Sequence, residues 1–152
     1  MLLVPAILWN VALTERLPPA LSFAEFWREV PAPLAFAENG LRVAVFALPF
    51  IMPLRLSAPT SKPALLIYAI GTLVYFTSWL ALIFFPASSW STNALGFTAP
   101  AYTPFLWLFG IALLGRQLFW GAFYRWWMYL LLSLAFLATH ISHTALVYAR
   151  SH

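Results

Sequence analysis

Residues 63–86 read PALLIYAIGTLVYFTSWLALIFFP, an unbroken run without one charged side chain, closed at both ends by proline. A helix of about 24 residues is about 36 Å long, more than the roughly 30 Å of a bilayer's hydrocarbon core. This stretch reads as a transmembrane helix. Three further apolar stretches flank it, about 35–54 on its N-terminal side and about 97–115 and 126–148 on its C-terminal side. Each lies near the roughly 20 residues that a crossing needs.

Composition agrees. The chain is 63% hydrophobic, 18% aromatic and 8% charged, with a mean hydropathy of +0.85. Soluble domains carry about 25% charged residues, so this one cannot cover a globular surface with polar groups, and part of its solvent is lipid. After Glu38 no Asp or Glu occurs through residue 152. The expected fold class is an all-α integral membrane protein, a single transmembrane domain over residues 1–152. It is a bundle of four full transmembrane helices plus a short N-terminal membrane-embedded helix (1–13) and an amphipathic interfacial helix (22–31).

The N-terminal run 2–13 is too short to cross unaided, at about 18 Å. No Lys or Arg precedes it and no small-residue cleavage site follows, so it reads as part of the mature protein rather than a secretory signal. In SFAEFWREV (22–30), Phe23, Phe26, Trp27 and Val30 share one helical face, and Glu25, Arg28 and Glu29 take the other. Ser22 is the expected N-cap.

Loop charges set an orientation. Arg55 and Lys62 lie in the 55–62 loop, Arg116 and Arg125 in the 116–125 loop, and the loop between them, 87–99, carries none. The positive-inside rule then puts loops 55–62 and 116–125 in the cytoplasm of a bacterial-type inner membrane, with residues 14–34, 87–96 and the C-terminus outside. Arg150 is a mild violation. Aromatic belts agree, with Phe119, Trp120, Phe123, Tyr124, Trp126 and Trp127 at one boundary and Trp27, Trp90 and Tyr102 at the other.

Several function classes lose ground. No cysteine is present, which removes disulfides, thiol catalysis and Cys-ligated metals. The net charge of +4 forms no basic cluster, so nucleic acid is not an expected partner. There is no HExxH or nucleophile-elbow pattern, which argues against hydrolysis. The two halves share no proline or polar register, which argues against an inverted-repeat transporter.

Four ionisable side chains fall inside the expected spans: Glu38, Arg42, His140 and His143. Such groups are costly in lipid unless paired or hydrated, and mark candidate sites. Glu38 and Asn39 lie in the outer turns of their helix. His140 and His143 lie about 12 and 8 Å from the outer end of theirs. The two sets therefore share a leaflet and can meet in one pocket, with Ser133 and Thr144 extending the polar stripe.

Glu38, His140 and His143 are a candidate set for a divalent metal, though an HxxH spacing is weak as a signal. A haem on one of these histidines, or a quinone served by a Glu/His proton relay, are the other cofactor options. A bis-His haem within the chain would need both ligands from one helical turn, since the remaining histidine is His152. Against all of these stands a purely structural role, with Glu38–Arg42 a neutralised pair and the histidines tying helices together.

Pro49 and Pro53 free the carbonyls of Val45 and Pro49, and bending the helix to fit is the commoner use of such prolines. Gly71, Gly110 and Gly115 are read as close helix contacts. The leading expectation is a non-hydrolytic membrane protein that binds a hydrophobic ligand, a lipid or a partner membrane subunit. A redox or metal module is the alternative, and a small-solute transporter the third.

Overall fold

A computed structural model describes residues 2–53, 61–115 and 124–151. Among them every element is helical. α1 (Val4–Leu13) leads through two single 3-10 turns to α2 (Phe23–Trp27), then α3 (Ala32–Ile51) and α4 (Ser61–Phe84). Two short helices, α5 (Ala94–Phe97) and α6 (Ala99–Tyr102), precede α7 (Pro104–Leu114), and α8 (Trp126–Ser151) closes the chain.

Three helices, α3, α4 and α8, are long and apolar enough to cross a membrane. The protein is therefore a helical bundle of membrane type. The expected third span, 97–115, differs from the reading as one full helix. It is broken into α5, α6 and α7, and its longest continuous apolar stretch is Ala99–Leu114. Pro100 and Pro104 supply no amide hydrogen there, and the hydroxyls of Thr98 and Thr103 donate back to Ala94 O (2.7 Å) and Ala99 O (2.8 Å) at the breaks. Asn93 caps α5, accepting from Gly96 N at 2.9 Å.

α3 begins after Pro31 and ends at Ile51, earlier than the expected residue 54. Met52 is extended, as a residue preceding proline prefers, so Pro53 ends the helix instead of bending it. Pro49 lies inside α3. It leaves Val45 O without its intrahelical donor, and the buried hydroxyl of Tyr129 on α8 donates to that carbonyl at 3.1 Å. The freed carbonyl is thus a link between helices.

That link, with the Glu38 contacts described below, makes α3 and α8 antiparallel. α4 and α7 are antiparallel too and pack backbone to backbone. A Cβ on Gly110 would sit 2.7 Å from Tyr68 N, and one on Gly71 would collide with Trp107 N. The core joins Val45, Tyr75, Leu108, Ile111, Tyr129 and Phe136 from four helices.

α1 runs parallel to α4. Tyr68 donates to Leu2 O (2.6 Å), Tyr75 donates to Asn10 Oδ1 (2.5 Å), and Trp9 stacks on Phe76 with ring centroids 4.0 Å apart. α2 is shorter than the expected 22–31. Ser22 holds the N-cap position without a side-chain cap bond, Arg28 is already extended, and Glu29 adopts a positive φ of 52° as the chain turns into α3. Arg55, Arg116, Phe119, Trp120, Phe123 and His152, used above for orientation, belts and haem ligation, lie outside the described residues.

Candidate functional site

α3 and α8 bring Glu38 and both in-span histidines together. Glu38 is fully buried. Its Oε1 lies 2.9 Å from His140 Nδ1 and accepts from Arg42 Nη2 one turn further along α3. Its Oε2 lies 2.5 Å from His143 Nδ1. A carboxylate has about four lone-pair positions, so three donors on one group is a well-satisfied arrangement.

His143 is fully buried and engaged at both nitrogens. Its Nε2 donates to Phe26 O at 2.7 Å. This explains the early end of α2. Were the helix to continue, Phe26 O would accept from the amide of residue 30; because it stops at Trp27, the carbonyl is free for His143. Phe26 and Trp27 pack their rings against His143, with centroids 4.0 and 4.8 Å away, and Arg150 at the end of α8 donates to Arg28 O. α2 is thereby strapped across one end of the cluster. Glu25 and Arg28 on its other face form an exposed ion pair at 3.1 Å.

Arg42 lies over Trp27 (5.6 Å to the ring centroid) and Phe136 (6.0 Å), while His140 stacks on Phe136 at an interplanar angle of 10°. Asn39 is exposed at the rim and accepts from Arg42 Nη1 at 3.3 Å. Thr144 donates to His140 O within α8. Ser133 is buried two turns away and donates to Tyr129 O, so it is not part of the cluster.

A cavity of about 520 Å³ opens beside this cluster. Arg42, His140 and Thr144 form one polar patch on its wall, and Asn10, Thr14 and Tyr75 form another. The rest is apolar and rich in aromatic rings, with Phe26, Trp27, Phe46, Trp79, Phe97, Trp107 and Phe136 among them. No acidic side chain lines it. Its lining includes Val11 of α1, Phe23 of α2 and Val43 of α3, all strongly exposed, so it opens sideways at the exposed flank of these helices.

The cluster as it stands is a hydrogen-bonded one. Two ligands on one tetrahedral zinc with bonds of about 2.0–2.1 Å are roughly 3.3 Å apart. The N···O separations here are 2.5 and 2.9 Å, and His143 has no free nitrogen. No group of three or more His, Cys, Asp or Glu side chains that could hold a metal ion, this cluster included, occurs among the described residues. His140 Nε2, by contrast, has no hydrogen-bond partner among the described residues, and His140 lines the cavity.

Sequence reasoning missed Phe26, Phe136, Asn10 and Trp107. Phe136 precedes His140 by one turn, and Asn10 is the only polar side chain in the apolar run 2–13; both are signals of a lined site. Comparison with protein-family models, curated proteins and solved structures gave no match.

Proposed function

We propose that this protein is a non-hydrolytic membrane binding module that takes a hydrophobic molecule from the bilayer into the cavity between α1, α3 and α8. The observation that carries this reading is the cavity itself. Its volume falls within the roughly 300–1,000 Å³ typical of ligand sites, its wall is aromatic and apolar, and its few polar groups are gathered in two patches. The sideways opening suits a ligand that arrives dissolved in lipid.

The test is saturable binding. Trp27, Trp79 and Trp107 line the cavity, so a brominated hydrocarbon probe bound there quenches tryptophan fluorescence. An excess of the unbrominated compound relieves the quenching in proportion to site occupancy. Quenching that rises linearly with probe and cannot be competed away rejects the reading.

A redox group is the second reading, and one observation favours it: the unpartnered His140 Nε2 beside the cavity. An absorption spectrum of the purified protein separates the two, since a haem gives a Soret band and a quinone a redox-sensitive ultraviolet band.

Orientation belongs to the same proposal. In a bacterial inner membrane, loops 55–62 and 116–125 face the cytoplasm and the C-terminus faces out. The chain has no cysteine, so single introduced cysteines at Ser57 and Ser89 report sidedness against no background. The first is protected from an impermeant thiol reagent in intact cells and the second is labelled.

A further inference from the structure

We infer that the cavity takes an anionic amphiphile, with an oxyanion head on Arg42 and an apolar chain along the aromatic wall. This rests on the cavity reading above and deepens it.

Phe26 O is a carbonyl and can only accept, so His143 Nε2 carries a hydrogen. A neutral imidazole would then present a bare Nδ1 to Glu38 Oε2 at 2.5 Å. Two acceptors do not sit at that distance without a proton between them. The pair therefore holds one, either as imidazolium and carboxylate or as imidazole and carboxylic acid. In both cases the charges of Glu38 and His143 sum to zero.

Arg42 is always protonated. Its ion pair with Glu38 looks like mutual neutralisation, but His143 has already balanced that carboxylate. The group Arg42–Glu38–His143 keeps a net charge of +1. His140 does not alter this. Its Nδ1–H donates to Oε1, and an imidazole ring is either neutral or cationic, so it cannot cancel the positive charge.

This positive charge lies within a span and at the wall of an apolar cavity, with no carboxylate on the lining to answer it. Intramembrane charge is normally matched. Of the five N–H donors of Arg42, one goes to Glu38 and one to Asn39, and the others are available to an anion. A second observation points the same way. Trp107 lines the cavity and is 3% exposed, yet its Nε1–H has no acceptor among the described residues. A ligand oxygen would satisfy it.

The shared chemistry is one anionic oxygen head on an acyl chain, and two sources offer it: a free fatty acid and an anionic phospholipid. The full chain in phosphatidylcholine nanodiscs is titrated with dibromostearic acid, with the acid ionised, with its methyl ester, and with dibrominated phosphatidylglycerol. Tryptophan quenching competed by the unbrominated compound is the readout. At least one anionic probe is expected to bind tenfold or more tightly than the ester, and the one that does so identifies the source. Arg42→Gln is expected to erase that preference and Arg42→Lys to retain it. If Arg42→Gln does not fold, the acid-to-ester ratio on the unmodified protein still decides. Equal binding of acid, ester and phosphatidylglycerol overturns the anionic assignment and leaves the cavity reading standing. Absence of saturable binding by every probe overturns both.

Discussion

Nδ1 of His143 lies 2.5 Å from Oε2 of Glu38, across 105 positions of sequence, with both side chains fully buried. Replacing Glu38 by Gln puts an amide NH2, which only donates, where one accepting carboxylate oxygen stood, and removes the negative charge that faces Arg42. Breaking a buried charge pair by changing one partner costs about 3–5 kcal/mol, and a loss of that order is expected for Glu38→Gln. Unfolding in detergent micelles measures it. A loss below about 1 kcal/mol would mean that the cluster does not hold α3 to α8.

The same contact fixes where hydrogens sit. In protein labelled with 15N-histidine, solid-state NMR should report Nε2 of His143 protonated and its Nδ1 in a strong hydrogen bond. His140 should report the opposite tautomer, protonated at Nδ1. Two histidines with identical tautomers would contradict the geometry.

Tyr129→Phe leaves Val45 O buried without a donor and is expected to cost about 1–3 kcal/mol. In a Pro49→Ala background the backbone amide at 49 can serve that carbonyl. The cost of removing the Tyr129 hydroxyl should then shrink by about 1 kcal/mol or more, a coupling read from a double-mutant cycle. Strict additivity would show that the hydroxyl is not answering the proline.

Gly110→Ala drives a methyl group into the backbone of Tyr68 and must separate α4 from α7. A loss of several kcal/mol or failure to fold is expected, as for overpacking against backbone. Gly40 has nothing within 4 Å of its would-be Cβ, so Gly40→Ala is expected to be neutral or stabilising by up to about 1 kcal/mol. Thermal unfolding of the pair compares them directly.

How much of this was legible in the sequence depends on the length over which each signal acts. The helices at Ser61–Phe84 and Trp126–Ser151 follow from hydropathy summed over whole spans, which is a robust sum. The same averaging hid the breaks at Thr98 and Thr103, where two prolines act locally while the mean stays apolar. Depth along two helices was enough to bring Glu38, His140 and His143 into one layer. It could not say which nitrogen meets which oxygen, because that depends on rotation about each helix axis. The pairing of the Phe26 carbonyl at the end of α2 was out of reach: its partner, His143, lies more than 110 residues away. The cavity was hidden for a similar reason. Its lining is drawn from segments across the chain, from Ala6 to Thr144, and no local pattern encodes such a gap.

The spacing of Glu38 and Arg42 matters to how the chain is made. His140 leaves the ribosome 102 residues after Glu38, an interval of roughly 5–20 s at about 5–20 residues per second. During that interval α3 must enter the membrane with a carboxylate whose eventual partners do not yet exist. Arg42, one turn away on the same helix, is already there and can escort it into the lipid as an ion pair. When α8 arrives, His143 balances the carboxylate's charge, and Arg42 stays hydrogen-bonded to it with donors to spare.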